Sequence, residues 1–279
     1  MATIALEDEF GDIIGKARAG LGKSLSAVAT ESGVSEADLR ALESYERTPT
    51  EDETAAIAAA VDLDATRLHA IATETWAPAE EPDVVDPAAD VIRIQNFVGG
   101  YPVFCYILVC RKTKSAAVVD TAADPDKLLE AVKTHGLNVQ AILLTHDHAD
   151  HVEGVGKVQK ELGAPVVMGE DMALPADVGK HFRLGEGDTY RVGELELTMI
   201  KTPGHSAGCV TFVAGGVALI GDLIFAGSMG KPNYSFDASK SSTAKVFELP
   251  DSTRLYPGHG PSTTIGEERA HNPFLASLA

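Results

Sequence analysis

Two hydrophobic patterns divide the chain. Up to residue 75, apolar side chains recur every three or four positions, as at Ile13, Ala17 and Leu21, which is the spacing of one face of an α-helix. Beyond residue 91, short apolar runs rich in β-branched residues alternate with helical patterns at 125–135 and 151–163. This alternation predicts an α/β layered domain with mixed sheets. The predicted strands cover 103–110, 115–120, 141–145, 165–169, 195–202, 209–215 and 217–222.

An acidic, proline-rich segment separates the two patterns. Residues 77–90 read APAEEPDVVDPAAD and contain three prolines and five carboxylates. Such a composition is typical of a linker, because it offers little apolar surface to bury. The predicted organisation is an all-α domain at 1–75, a linker at 76–90 and an α/β domain at 91–279.

The charge balance narrows the range of partners. Asp and Glu total 41 against 23 Lys and Arg, so the 279-residue chain has a net charge of -18, which repels phosphate backbones. The first ten residues include Glu7, Asp8 and Glu9 where a secretory signal needs cations and an apolar stretch, and no run of about 18 apolar residues follows. Three scattered cysteines form no CxxC pair. We therefore expect a cytoplasmic protein without a membrane partner.

The all-α segment contains one motif of its own. In SGVSEADLRALE, a glycine turn precedes Ser35, a helix N-cap residue, and residues 10–72 resemble the phage-repressor type of helix-turn-helix domain. The second helix, 36–43, carries three carboxylates and one cation, Arg40, whereas base and phosphate contacts need Arg, Lys, Asn or Gln. DNA binding is thus not the expected role. The expected role is instead that of a helical module that supports a homodimer or packs on the α/β domain.

Seven histidine and aspartate side chains follow strand-like segments, where turns in the chain can bring them together. Four lie in LLTHDHADH and one each in TPGHSAG, LIGDLIF and LYPGHGP. Imidazole and carboxylate groups bind zinc and iron at neutral pH. Seven such groups suffice for two cations, and the two oxygens of Asp222 suit it to bridge them. The candidate ligands are His146, His148, Asp150, His151, His205, Asp222 and His259.

This order of ligands, HxHxDH followed by a distal His, an Asp and a final His, resembles the metallo-β-lactamase superfamily over residues 91–279. The resemblance implies an αββα sandwich with the metals at one edge. It also implies that Asp120, at the end of SAAVVD, supports a ligand histidine from behind. The implied division of ligands is His146, His148 and His205 for one metal and Asp150, His151 and His259 for the other, with Asp222 between them.

The expected reaction is hydrolysis of an ester-type substrate. Two cations lower the pKa of a shared water from 15.7 to about 7, and Asp150 is expected to orient the resulting hydroxide or accept its proton. The tail GHGPSTTIGEERAHNPFL resembles the hydroxyacylglutathione hydrolase, or glyoxalase II, branch. The implied function is a thioesterase with a small-molecule substrate such as a glutathione thioester, and with two zinc ions. Iron, or iron with zinc, is the alternative.

The chain departs from that branch in two places. GSMGKPNYSF lacks a basic element common after the bridging aspartate, and only residues 260–279 follow His259, where the branch has a glutathione-binding helical domain. Lys231, Asn233 and Tyr234 are the candidate contacts to a substrate carboxylate. Three alternatives stay open: an iron-dependent persulfide dioxygenase, which GCVTFV after His205 resembles, a β-lactamase or lactonase, and a transcription regulator that senses a ligand through its metal domain.

Overall fold

Five short helices occupy residues 10–72 of the structure, a computed structural model that describes residues 4–122 and 124–278. Four of the five begin at a Ser, Thr or Asp side chain that accepts a hydrogen bond from the backbone N–H three residues on, which satisfies an otherwise unpaired donor. Helices of 8 to 11 residues are marginal alone and depend on packing. They are α1 (Phe10–Gly20), α2 (Leu25–Ser32), α3 (Glu36–Glu43), α4 (Glu51–Ala60) and α5 (Ala65–Ala72).

The first six-stranded sheet has the strand order β1-β2-β3-β4-β5-β6. Strands β3 and β4 are parallel, and α6 connects them. Helix α6 and the helices after β4 cover the outer face of this sheet. The elements are β1 (Ala89–Val98), β2 (Tyr101–Cys110), β3 (Ser115–Val119), α6 (Asp126–Thr134), β4 (Asn138–Leu143), α7 (Ala149–Val152), α8 (Val155–Leu162), β5 (Val166–Gly169) and β6 (His181–Leu184).

The second six-stranded sheet has the order β14-β13-β10-β9-β8-β7. A small hairpin, β11–β12, follows β10 directly. A 3₁₀ segment at Pro273–Leu278 ends the described chain. The elements are β7 (Thr189–Val192), β8 (Leu195–Lys201), β9 (Val210–Ala214), β10 (Val217–Gly221), β11 (Ile224–Phe225), β12 (Ser228–Met229), α9 (Phe236–Val246), β13 (Arg254–Pro257), β14 (Thr263–Thr264) and α10 (Ile265–His271).

Strand β10 shows how the layers stack. Val217 and Leu219 belong to the core between the two sheets, whereas Ala218 and Ile220 belong to a second core with α1–α5, α9 and α10. Alternate residues of a strand point to opposite faces, so the second sheet is covered by the first sheet on one side and by helices on the other. The layers therefore run helices, sheet, sheet, helices. The helices of the N-terminal segment pack on the α/β part, one of the alternatives that the sequence leaves open.

The strands that the sequence pattern does not predict include all four edge strands, β1, β6, β7 and β14. Edge strands face solvent on one side, so they lack the continuous apolar run of a central strand. The helix predicted over 151–163 is divided into α7 and α8, with Gly154 between them. A Cβ at Gly154 would lie 2.8 Å from the Ala122 carbonyl oxygen, so close packing against the β3 loop shapes this break.

The segment predicted as a linker is held against the second sheet. Glu81 accepts hydrogen bonds from the hydroxyls of Tyr256 (2.5 Å) and Ser262 (3.0 Å), and Asp86 accepts one from the Gly216 N–H (2.8 Å). These contacts tie the acidic side chains to the turn between β9 and β10 and to the region of β13.

The longest helices among the described residues have 11 residues, whereas a helix that crosses a membrane needs about 20 apolar ones. None of the described helices combines the length and apolarity that such a crossing requires.

Because α1–α5 share a core with the second sheet, a cavity in α1 is expected to destabilise the whole chain. Ile13 is fully buried, and Ile13→Ala should lower the free energy of unfolding by about 2–5 kcal/mol. Urea unfolding followed by Trp76 fluorescence and by far-UV circular dichroism should give one coincident transition. The exposed Glu46→Ala variant is the control, and a separate early transition in Ile13→Ala would contradict the shared core.

A buried carboxylate beneath the β11–β12 hairpin is expected to make stability depend on pH. Glu268 accepts hydrogen bonds from Thr263 Oγ1 (2.8 Å), Asn272 Nδ2 (2.7 Å) and the Gly227 N–H (3.1 Å), yet burial raises the pKa of Glu268 to about 7. The folded state then holds this proton where the unfolded chain has lost it, so stability falls as pH rises from 4.5 to 7.

In the metal-free protein, the free energy of unfolding falls between pH 5 and pH 7. This fall should be about 2 kcal/mol smaller in Glu268→Gln than in the unchanged protein. Urea titrations of both proteins at the two pH values measure this difference. An identical pH dependence in the variant would contradict the assignment.

Candidate metal centre

The candidate ligands meet because their strands end at common edges. Strands β3 and β4 are parallel, so Asp120 and the HxHxDH segment follow neighbouring strand ends. In the second sheet, β8 and β10 are both antiparallel to β9, and β13 is parallel to β10. The chain therefore leaves β8, β10 and β13 at one edge, where His205, Asp222 and His259 follow.

Three histidines form the first group of donors. The donor atoms of His146, His148 and His205 all lie within 4.8 Å of one another. His205 Nε2 is 2.8 Å from His148 Nδ1 and 3.4 Å from Asp222 Oδ2. This spacing suits three ligands of one cation.

The second group contains one carboxylate and two histidines. The donor atoms of Asp150, His151 and His259 also lie within 4.8 Å of one another. His259 Nε2 is 3.5 Å from Asp150 Oδ2, and His151 Nε2 is 3.8 Å from the same oxygen. Asp150 is the most exposed of the three side chains, so it faces the opening of the site.

Asp222 lies between the two groups. Its Oδ2 is 3.9 Å from His146 Nε2 and 3.6 Å from His259 Nε2, and its Oδ1 is 3.5 Å from His151 Nε2. One carboxylate is thus in contact distance of both donor groups, an arrangement that two-metal sites use.

Orphaned polar atoms test whether this cluster fits a cation. Within residues 4–122 and 124–278, His146 Nε2, His151 Nε2 and Asp222 Oδ1 are buried and have no hydrogen-bond partner. Buried polar atoms are almost always paired, and these three face the cluster. Nitrogen and carboxylate donors of this kind bind zinc and iron, so the donor set fits a metal centre.

Two glycines permit this convergence. A Cβ at Gly258 would lie 2.3 Å from Asp222 Oδ1 and 2.5 Å from His151 Cε1, and a Cβ at Gly221 would lie 2.5 Å from Thr145 Oγ1. Gly221 also has a positive φ of 50°, which favours glycine. The backbone can pass this close to the ligands only without a side chain.

Hydrogen bonds behind the ring of ligands fix the imidazoles. Asp120 Oδ2 is 2.9 Å from His151 Nδ1 and accepts from Thr145 Oγ1 (2.7 Å). His205 Nδ1 is 2.8 Å from the Lys231 carbonyl oxygen, and His259 Nδ1 is 2.8 Å from the Pro102 carbonyl oxygen. Such partners turn Nε2 of each ring toward the cluster. Thr145 and Pro102 could not be found from the sequence, because one contributes a common hydroxyl and the other a backbone atom.

Charge and burial shift the pKa values of these groups in opposite directions. A hydrogen bond from His259 lowers the pKa of Asp150 to about 2. Burial lowers the pKa of His259, but its bond to Asp150 and the charge of Asp222 outweigh burial and raise this pKa to about 9. Burial and the neighbouring histidines hold the pKa of His146 well below its usual value, which keeps His146 in the neutral form that a metal ligand requires.

The candidate substrate contacts lie on the rim. Lys231, Asn233 and Tyr234 are exposed, and the Tyr234 N–H donates to the Gly204 carbonyl (3.1 Å), next to His205. Their side chains form no hydrogen bond or ion pair with any described residue. The structure therefore places this segment beside the cluster with its side chains open to solvent.

Comparison with known proteins decides the family. The family model for the metallo-beta-lactamase superfamily matches residues 98–259, which include all seven candidate ligands. The chain belongs to the metallo-β-lactamase superfamily. The ligand cluster and strands β2–β13 lie within the matched part, whereas helices α1–α5, strand β14 and all of β1 except Val98 lie outside it.

Individual members of the superfamily that resemble this chain differ in activity. A hydroxyacylglutathione hydrolase of Chelativorans sp. is 32% identical over 66% of this chain and 87% of its own length. The mitochondrial persulfide dioxygenase ETHE1 of Mus musculus is 31% identical over 67% of this chain and 77% of its own length. The solved structure of TTHA1623 in a di-iron-bound form is 32% identical, with a TM-score of 0.57, over 65% of this chain and 100% of that one.

The match to another group of relatives is shorter. The chain spans about half (50%) of the β-lactamase hydrolase-like protein of Xylella fastidiosa, at 30% identity over 62% of this chain. Membership of the superfamily establishes the fold and identifies the protein as an enzyme of this superfamily with a metal-binding His/Asp cluster. It does not establish the reaction, because the relatives catalyse different ones.

Substitution of Gly258 tests the geometry of the centre. Gly258→Ala places a methyl group against Asp222 and His151, so metal affinity should fall by about tenfold or more. Gly216→Ala is the matched control, because its Cβ would meet nothing closer than 3.4 Å. Metal content after dialysis against a graded chelator measures the effect, and an unchanged metal content in Gly258→Ala would contradict the described packing.

Proposed function

We propose that the protein is a two-metal hydrolase that cleaves a thioester, as glyoxalase II-like enzymes do. The observation that carries the proposal is the position of Asp222 between two complete donor groups. A centre with a single metal requires only one such group. The relative from Chelativorans, a hydroxyacylglutathione hydrolase, supports the choice of substrate class.

Two cations held by these residues would supply a water with a pKa near 7 and a Lewis acid for the carbonyl oxygen. Asp150 then has a defined task. Its carboxylate is the most exposed of the second donor group, and it is proposed to orient the attacking water through a hydrogen bond or to accept its proton.

A thioester suits this set of residues. The leaving thiolate has an ordinary pKa near 8.5, so it departs without a dedicated general acid. Lys231 and Tyr234 on the rim are proposed to contact a carboxylate of the substrate, as a glutathione thioester would present. Zinc is the proposed metal, and iron or a mixed pair is the alternative, which the di-iron form of TTHA1623 supports by analogy.

A persulfide dioxygenase is the second candidate. The mouse relative supports it, and His146, His205 and Asp222 supply the two histidines and one carboxylate that non-haem iron oxygenases use. Cys209 does not contribute to this candidate, because its thiol is buried and lies 3.2 Å from both the Ser206 N–H and its hydroxyl. Burial raises the pKa of Cys209 to about 12.

We propose that the helical unit α1–α5 supports the α/β part of the chain and does not bind DNA. The single cation of α3, Arg40, is bound to Glu36 (3.0 Å), and the remaining charges of α3 are carboxylates. Association of two chains through these helices stays a prediction.

The role of Asp150 can be tested against a neighbour in the same segment. Asp150→Asn should lower kcat/KM for S-lactoylglutathione by about 100-fold or more, because a neutral amide is a weaker cation ligand and a weaker hydrogen-bond acceptor than the carboxylate. Asp147→Asn is the matched control, since Asp147 belongs to neither donor group. Its kcat/KM should remain close to that of the unchanged protein. Equal activity of the Asp150 variant would contradict the proposed role.

Metal analysis separates the two candidate reactions. The hydrolase requires two metals per chain and thioester turnover without oxygen. One iron per chain, with oxygen uptake on glutathione persulfide and no thioester hydrolysis, would favour the dioxygenase.

A further inference from the structure

The N-terminal segment, residues 4–9, packs on the loop that carries His259. A Cβ at Gly260 would lie 3.1 Å from Glu7 Cβ and 3.2 Å from the Glu7 nitrogen. Gly260 also has a positive φ of 74°, so glycine serves both the turn and the close approach of the two backbones. The loop of a candidate ligand is thus in direct contact with a segment from the far end of the chain.

Glu7 lies behind His259 as seen from the cluster. Its Oε1 is 3.9 Å from His259 Nδ1, while His259 Nε2 faces Asp150 and Asp222. The Glu7 side chain is only 21% exposed, so solvent screens its charge weakly. The Nδ1–H of His259 bonds the Pro102 carbonyl oxygen, so Glu7 acts on the ring through its charge, and a nearby negative charge increases the basicity of the imidazole.

Lys16 of α1 connects the N-terminal segment to the β11–β12 hairpin. Its ammonium group forms an ion pair with Asp8 and donates a hydrogen bond to the Met229 carbonyl oxygen (2.9 Å). The same group lies 4.8 Å from the centre of the Phe225 ring, which in turn is 5.7 Å from the His259 ring. One lysine therefore ties the N-terminal segment to the β11–β12 hairpin that follows Asp222.

These contacts reach only one of the two donor groups. None of the described hydrogen bonds or ion pairs of His146, His148 and His205 involves a residue before position 76. The contacts from the N-terminal segment act on His259, a member of the second group.

We propose that residues 4–16 brace the His259 side of the metal centre, with Glu7 as a positioning residue that strengthens cation binding by Asp150, His151 and His259. The inference rests on the proposed metal centre. The superfamily match begins at residue 98, so this brace belongs to a part of the chain outside the matched region. The helical unit is then a structural part of the active site.

Cobalt titration of the chelated, full-length protein tests the proposal through metal affinity and absorption spectra, independently of turnover. It should be run at one fixed pH, because metal affinity depends on the deprotonation of the ligands. The unchanged protein should bind cobalt in two steps. Glu7→Gln should weaken one step by about tenfold and leave the other unchanged, and Glu7→Asp, which keeps the charge, should retain more of the affinity.

Glu46→Gln is the matched control, since Glu46 is exposed and lies in the adjoining helical unit α1–α5. Two steps in Glu7→Gln identical to those of the unchanged protein would overturn the brace and leave the proposed function standing. Equal weakening of both steps would also overturn it, because general loosening of the fold would explain that result. Absence of cobalt binding by the unchanged protein would overturn both proposals.

Discussion

The structure depends on the convergence of five imidazoles and two carboxylates at one edge of two sheets. Three of their atoms, His146 Nε2, His151 Nε2 and Asp222 Oδ1, are buried with no hydrogen-bond partner among the described residues. Each such atom costs about 1–3 kcal/mol, and a bound cation would offset that cost. The surrounding fold is best understood as the support that keeps these groups together.

That support is built in layers around the ligands. Because neighbouring strands are parallel, the loops that carry the ligands begin at a common edge of the sheets. Glycines let the backbone approach the ligands. Asp120, which follows β3, is hydrogen-bonded to both Thr145 and His151 in the segment that follows β4. It therefore joins the two loops of the first sheet at the site. It does so with a positive φ of 55°, a strained conformation for a residue with a side chain, which indicates that the surrounding contacts impose its position.

The helical unit belongs to this same support. Its apolar faces join the outer core of the second sheet, and the acidic segment after it is hydrogen-bonded along that sheet. The N-terminal residues also contact the His259 loop. A resemblance to a helix-turn-helix domain therefore coexists with a packing arrangement in which apolar side chains of the helices share a core with the second sheet.

The sequence by itself determined the central strands other than β13, and it determined the chemistry of the ligands. Apolar runs predict strands that are buried on both faces, and histidines and aspartates that follow such runs predict a metal site, because both signals are local. Only the tertiary structure decided the edge strands, the short central strand β13, the division of the 151–163 helix and the partners Thr145, Pro102 and Glu7. Edge strands lack an apolar run, and a partner such as Glu7 is separated from His259 by most of the chain, so no local pattern records a contact that exists only once the two sheets and the helices have packed.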